Sequence, residues 1–168
     1  LSITSGVRYG FAMTGGTDVL RVGAAFPDPP FNSAGADGRG GLDLDLMSAI
    51  GRALGCAVDF VRYEGRDFNG IFDALDSGEY DCVTSGTTIT GSRALKAVFC
   101  EPYLISGQAL AVDTARLPEV RSIDDLDGLT IGVQKGNTSQ PIANRLVADG
   151  KAARVRVYDY SSIRTALR

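Results

Sequence analysis

The residues best suited to chemistry lie in one run, Cys82 to Arg93, which reads C-V-T-S-G-T-T-I-T-G-S-R. It opens as a buried strand does, then gathers four threonines, two serines and two glycines before an arginine. Gly86 lets the backbone approach a ligand closely, and the amides around Thr87 and Thr88 can point outward with the Thr88 hydroxyl. Arg93 adds a planar, permanently charged fork that matches a carboxylate or a phosphate. Taken as chemistry, the run is a carboxylate-binding corner; taken as structure alone, it is a threonine-rich turn with a surface arginine.

A second run, Gln134-Lys135-Gly136-Asn137-Thr138-Ser139, follows an apolar strand and opens a helix. Such a turn presents unbonded amides at the positive end of a helix dipole. It lacks the G-x-x-x-x-G-K-[ST] spacing of a phosphate loop, and a plain turn with a Ser/Thr cap fits it as well. Asp43 and Asp45 at a helix start read as dipole-complementing caps rather than a metal pair. Phe68 can staple a helix or face a ligand, and Glu101-Pro102-Tyr103 reads as punctuation before a strand.

Composition removes several other chemistries. The chain has no histidine in 168 residues, so Ser-His and Cys-His nucleophile pairs and histidine metal sites are excluded. No metal and no cofactor are expected. Cys56, Cys82 and Cys100 have no C-x-x-C spacing; ordinary buried thiols are expected, with one disulfide plus a free thiol as the other possibility. A net charge of −3 with scattered basic residues offers no footprint for nucleic acid. No apolar run approaches the roughly 20 residues that span a bilayer.

The elements that would position these residues follow from periodicity. Residues 1–19 read as a Gly/Ser/Thr-rich arm, Leu20 to Ala25 as a strand, and Phe26 to Phe31 as a loop that its three prolines keep extended. Asn32 to Gly41 is turn-rich. Leu46, Ala49, Ile50, Ala53 and Leu54 recur at helical spacing over 42–54, with Gly55 as the stop. A strand over 57–63, a helix over 68–77 carrying Ile71, Phe72 and Leu75 on one face, and a strand over 81–85 come next. A long apolar run over 104–112 and a polar linker over 113–127, ending in a helical turn, precede a second pattern. That pattern has strands over 129–133 and 154–158, a helix over 139–148, and a further helix from Ser161. The order predicts an α/β protein with parallel sheets and crossover helices. Ligands in such sheets bind at the carboxyl ends of strands, where the Gly86 run lies.

In order and spacing, LRVGAAFPDPPF, GLDLDLMSAIGRALG, DFNGIFDALDSGEYDCVTSGTTITGSR, FCEPYLISGQALAV and SIDDLDGLTIGVQKGNTS resemble the bacterial extracytoplasmic solute-binding proteins of the polar amino-acid class, family 3. The resemblance covers most of the chain from Leu20 onward. It implies a two-lobed periplasmic-binding-protein-like (type II) α/β fold, with lobe 1 over 20–110 and an incomplete lobe 2 over 111–168. The hinge crossing is expected near Ala109 to Asp113. Arg93 is implied as the α-carboxylate clamp, Gly86 and Thr88 as its backbone and hydroxyl partners, Phe68 as an aromatic wall, and Thr138 as an amide donor from lobe 2.

The chain departs from that pattern at Ala25, often acidic in the family, and at Asp28, often aromatic; Asp28 and Gln134 are nonetheless implied ligand contacts. The acidic residue that holds a ligand ammonium, the second hinge strand and the rest of lobe 2 are expected beyond Arg168. The resemblance further implies a monomer in the periplasm or at the cell envelope that delivers an amino acid or related carboxylate to an ABC transporter permease. A receptor's sensing domain or a cyclohexadienyl-dehydratase-like enzyme on the same fold are the alternatives. In the enzyme case the general acid would be Asp28 or Glu101.

Overall fold

The computed structural model describes residues 2–3, 19–33, 40–159 and 162. Most of the segment 1–19, residues 34–39 of the turn-rich connection and the helix expected from Ser161 lie outside the described residues. The chain divides into two compact units, Leu1–Glu64 with Gly70–Tyr103 and Gly65–Asn69 with Leu104–Arg168.

The first unit is built on one sheet of β1 (Ser2–Ile3), β2 (Val19–Ala25), β3 (Ala57–Tyr63), β4 (Cys82–Val83) and β5 (Val98–Phe99), in the order β3-β2-β4-β1-β5. β2 pairs parallel with β3 and β4, as the β-α-β order requires. β1 runs antiparallel to both β4 and β5, so the sheet is mixed rather than wholly parallel. Two residues of strand inside a segment read as an arm are too short to show a period.

Side-chain alternation along these strands makes two apolar faces. Val22 and Cys82, with Leu20, Val58 and Phe60, pack with Met47 of α1 (Leu42–Leu54). Val83, with Val61, Tyr63 and Phe99, packs with Ile71, Phe72 and Leu75 of α2 (Gly70–Asp76). The limits of α1 agree with the periodicity, and Gly55 ends it in the left-handed conformation at φ 71°. Its buried face does not agree. Leu44, Met47 and Gly51 turn inward, while Ala49, Ala53 and Leu54 are exposed. A Cβ on Gly51 would collide with the Val58 side chain, so close helix–strand approach selects that stripe.

Two loops also differ from expectation. The Pro-rich segment after β2 closes into a tight turn instead of running extended, because the Phe31 and Asn32 amides both donate to the Asp28 carbonyl, at 3.0 and 2.9 Å. The carbonyls of Pro30 and Phe31 then accept the first amides of α1, from Leu42 and Asp43, at 3.1 Å each. α2 begins at Gly70 rather than Phe68, since the Asp67 carboxylate accepts the Asn69 amide at 2.9 Å and makes a turn there. α3 (Gly91–Ala94) is a single turn capped by Thr90.

In the second unit, β6 (Thr130–Gln134) and β7 (Arg154–Tyr158) pair in parallel, with α4 (Ser139–Ala148) as their crossover. Val120, Leu126 and Ala152 form its core with Val112, Leu129, Ile131, Leu146 and Val147. The turn expected at the end of the linker is a 3-10 turn, Ile123–Asp125, held by reciprocal bonds between Ser122 and Asp125. The apolar run 104–112 forms no helix or strand and is largely exposed, Ile105 to 91%.

Candidate functional site

β4 ends at Val83, and the chain leaves the sheet through Thr84 and Ser85, both 1% exposed. Ser85 Oγ accepts the Ala25 amide at 3.1 Å and the Asn32 side-chain amide at 3.2 Å, which ties this exit to the end of β2 and to the Asp28–Asn32 turn. Gly86 then takes φ +51°, in the left-handed region, and a Cβ there would sit 3.0 Å from the Phe31 ring. Only glycine fits both conditions without strain.

The Gly86 amide points inward, donating to Asp43 Oδ2 at 2.7 Å. Among the described residues, no hydrogen bond engages the Gly86 carbonyl or the amides of Thr87 and Thr88. The Thr87 hydroxyl is buried with no hydrogen-bond partner among them either, and the Thr88 side chain is exposed. Gly86 and Thr87 are half-buried, so the free amides lie at the rim of the fold, where an acceptor from outside can meet them.

Arg93 lies in α3, on the far side of the same loop. It is 5% exposed, Nη1 donates to the Thr88 carbonyl at 3.0 Å, and the guanidinium sits over the Phe72 ring 5.6 Å from its centroid. Burial pulls its pKa below the usual arginine value, the sign of a cation held where water is scarce. It is therefore a core arginine, which disposes of the surface-arginine reading. Asp28 is half-buried, and no hydrogen bond or ion pair reaches its carboxylate among the described residues. Burial first, and the Asp43 charge second, push its pKa up.

The second unit carries the other expected residues in one cluster. Gln134 ends β6, Lys135 and Gly136 follow it, and the Phe68 amide donates to the Lys135 carbonyl at 3.1 Å. Gly136 has φ +77°, and a Cβ there would run into the Asp67 carboxylate and the Asn69 amide, so the two loops meet through a glycine. Phe68 is 5% exposed. Asn137, not a Ser or Thr, supplies the side-chain cap, its Oδ1 accepting the Ser139 amide at 3.2 Å. The Asn137 side-chain amide donates to Gln134 at 3.3 Å. Thr138 Oγ1 accepts from the Gln108 side chain at 3.1 Å, while the Thr138 amide makes no hydrogen bond among the described residues.

Sequence reasoning missed Asp43 and Tyr103. Asp43 was read as a cap, yet its carboxylate leaves its own helix, accepting from Gly86 and, at 2.6 Å, from the Tyr103 hydroxyl. Glu101-Pro102-Tyr103 introduces no strand, and Glu101 is exposed. A partner 60 residues away leaves no local signal. The three cysteines are free, but only Cys82 is buried; Cys56 is half-buried and Cys100 exposed, because β5 has ended by residue 99. Burial pushes the Cys82 thiol up to about 12. Among the described residues, no group of three or more Cys, Asp or Glu is placed to hold a metal, and no helix is long and apolar enough to cross a membrane.

The order of these elements, with the corner at the carboxyl end of a parallel strand, is that of a two-lobed α/β fold. The chain belongs to the bacterial extracellular solute-binding proteins, family 3, whose sequence model matches residues 20–154. It is similar to the ABC transporter arginine-binding protein 1 of Escherichia coli strain K12, at 30% identity over 122 residues, 72% of this chain and 48% of that protein. Among solved structures it resembles an ancestral arginine-binding protein bound to arginine, with 36% identity, a TM-score of 0.77, and coverage of 89% of this chain and 65% of that one. It also resembles an ancestral amino acid-binding protein described as a precursor of cyclohexadienyl dehydratase, with 32% identity, a TM-score of 0.78 and the same coverages. The chain spans about half the length of the curated relatives it matches.

Proposed function

We propose that this chain captures an amino acid or related small carboxylate outside the cytoplasm and hands it, as a monomer, to the permease of an ABC importer. The observation that carries the reading is the loop from Gly86 to Arg93. It holds a desolvated guanidinium and, among the described residues, two amides without internal acceptors and a buried threonine hydroxyl without a partner. A carboxylate meeting the guanidinium and the Thr87 and Thr88 amides would be held through charge-assisted hydrogen bonds. The Gly86 carbonyl, an acceptor whose amide is spent internally, suits the ammonium of the same molecule. Thr138 contributes an amide at the start of α4, where the helix dipole favours negative charge. Gln134 and Phe68 are further ligand contacts contributed by the second unit, and Asp28 of the first favours a ligand that brings a cation or a proton donor.

Binding without turnover is the better reading of the acids. Glu101 is exposed, and among the described residues no base is paired with Asp28. The relatives named for amino-acid and arginine binding support the same class of ligand. A thermal-shift screen against the twenty L-amino acids and small carboxylates tests it, because a ligand that binds only the native state raises Tm. A subset of L-amino acids should raise Tm, and their methyl esters should not. Equal shifts from acids and esters would refute the carboxylate corner.

A further inference from the structure

Among the described residues, Asp43 is the acidic side chain that the fold removes completely from water, at 0% exposure. Burying a carboxylate is costly unless hydrogen bonds replace its hydration, so its place calls for a reason. Helix α1 does not supply one. The Leu42, Asp43 and Asp45 amides are already served by the carbonyls of Pro30, Phe31 and Gly41, and Asp45 stays exposed in the same turn to meet the dipole.

We propose that Asp43 and Tyr103 are positioning residues for the ligand corner, an inference that rests on the carboxylate reading of Gly86 to Arg93. One carboxylate clamps two distant segments: Oδ2 receives the Gly86 amide at 2.7 Å and Oδ1 the Tyr103 hydroxyl at 2.6 Å. Both are short, charge-assisted bonds of the stronger kind. The Gly86 bond turns that amide inward at φ +51°, and among the described residues the next two amides, of Thr87 and Thr88, have no internal acceptor. The Thr88 carbonyl in turn orients Arg93. Order in the corner thus passes from Asp43 through Gly86 to the groups that meet the ligand, with no ligand contact by Asp43 itself. Tyr103 holds the far carboxylate oxygen, so that the charge cannot swing away from Gly86. Burial and the bond to Asp43 push the Tyr103 pKa up, keeping it a donor at any working pH.

The test uses two variants. Tyr103→Phe removes a single hydroxyl from a side chain that is 38% exposed and leaves the core intact. Asp43→Asn keeps the shape and removes the charge. Affinity is read by calorimetry with the twenty L-amino acids, L-arginine first, and the Gly86 amide is followed by proton–nitrogen NMR and hydrogen exchange. The Gly86 proton should be shifted downfield in the parent, move upfield in Asp43→Asn and exchange faster. Asp43→Asn should bind about tenfold or more weakly, on the scale of one charge-assisted hydrogen bond, and Tyr103→Phe should lose less. A lower Tm with unchanged affinity and an unchanged Gly86 signal would make the pair merely structural and overturn the proposal. A displaced Gly86 signal with unchanged affinity overturns it too, while the carboxylate reading survives. A parent protein that binds none of the L-amino acids overturns the functional reading and the role that depends on it. The Gly86 signal would still report whether the clamp exists, so the two failures are separable.

Discussion

Replacing Arg93 with alanine should cripple ligand binding while leaving the fold largely intact, and the structure sets the scale. The guanidinium is 5% exposed and already fixed by the Thr88 carbonyl at 3.0 Å and the Phe72 ring at 5.6 Å, so little of its ordering cost is left to be met when ligand arrives. Each hydrogen bond to a charged group contributes roughly 1.5–3 kcal/mol. Truncating one partner of a desolvated pair costs about 2–5 kcal/mol. At roughly 1.4 kcal/mol per decade, Kd should rise by about 30-fold to several thousand-fold. Stability should change much less. The lost cation–π contact, worth about 0.5–2 kcal/mol, and the lost bond to the Thr88 carbonyl are partly offset by release of a cation that burial disfavours. Arg93→Lys keeps the charge without the planar fork and should fall between parent and alanine variant. Calorimetry with the best amino acid from the thermal screen, beside a urea melt of each variant, reads both quantities. A folded Arg93→Ala protein with the parent's Kd would refute the clamp.

Two further outcomes follow from the same corner. Gly86→Ala forces a Cβ into the left-handed region and to within 3.0 Å of the Phe31 ring, so unfolding in urea should show a loss of about 1–2 kcal/mol or more. A melt indistinguishable from the parent's would mean that this conformation is not required. For Asp28 the folded pKa lies above its ordinary value of 3.8, so the native state holds the proton more tightly than the unfolded chain does. Its contribution is complete below 3.8 and is lost as pH rises through the folded value, the direction in which the native state binds more protons. Parent and Asp28→Asn stability, compared across that window, should therefore converge at low pH, with the parent losing ground as pH rises; parallel curves would count against it.

Local pattern carried much of the architecture. The limits of α1, β3, α4 and β7 agree with the periodicity, and so does the parallel pairing of β2 with β3 and of β6 with β7. These elements are long enough to repeat their period and are stopped by glycine or polar turns. Short pieces were not legible. β4 is two residues where five were expected, and β1 was hidden in a polar segment, since pairing in such strands depends on neighbours far along the chain. The buried face of α1 was misread because two overlapping apolar stripes compete in its sequence. The approach of Gly51 to Val58 decides between them.

By itself, the sequence of this protein determined which chemistry is possible. With no histidine, and with a run of hydroxyls, glycine and arginine after a strand, it pointed to a carboxylate bound by amides and a guanidinium, and its motif order placed it in a solute-binding family. Tertiary structure alone decided how that corner is held. A carboxylate at 43, a hydroxyl at 103 and an amide at 86 converge only once the chain is folded, and burial is what gives their hydrogen bonds strength. Residue type is written locally, whereas desolvation and long-range partnership belong to the folded molecule. For that reason Arg93 could be named from the sequence, and Asp43, spelled like any helix cap, could not.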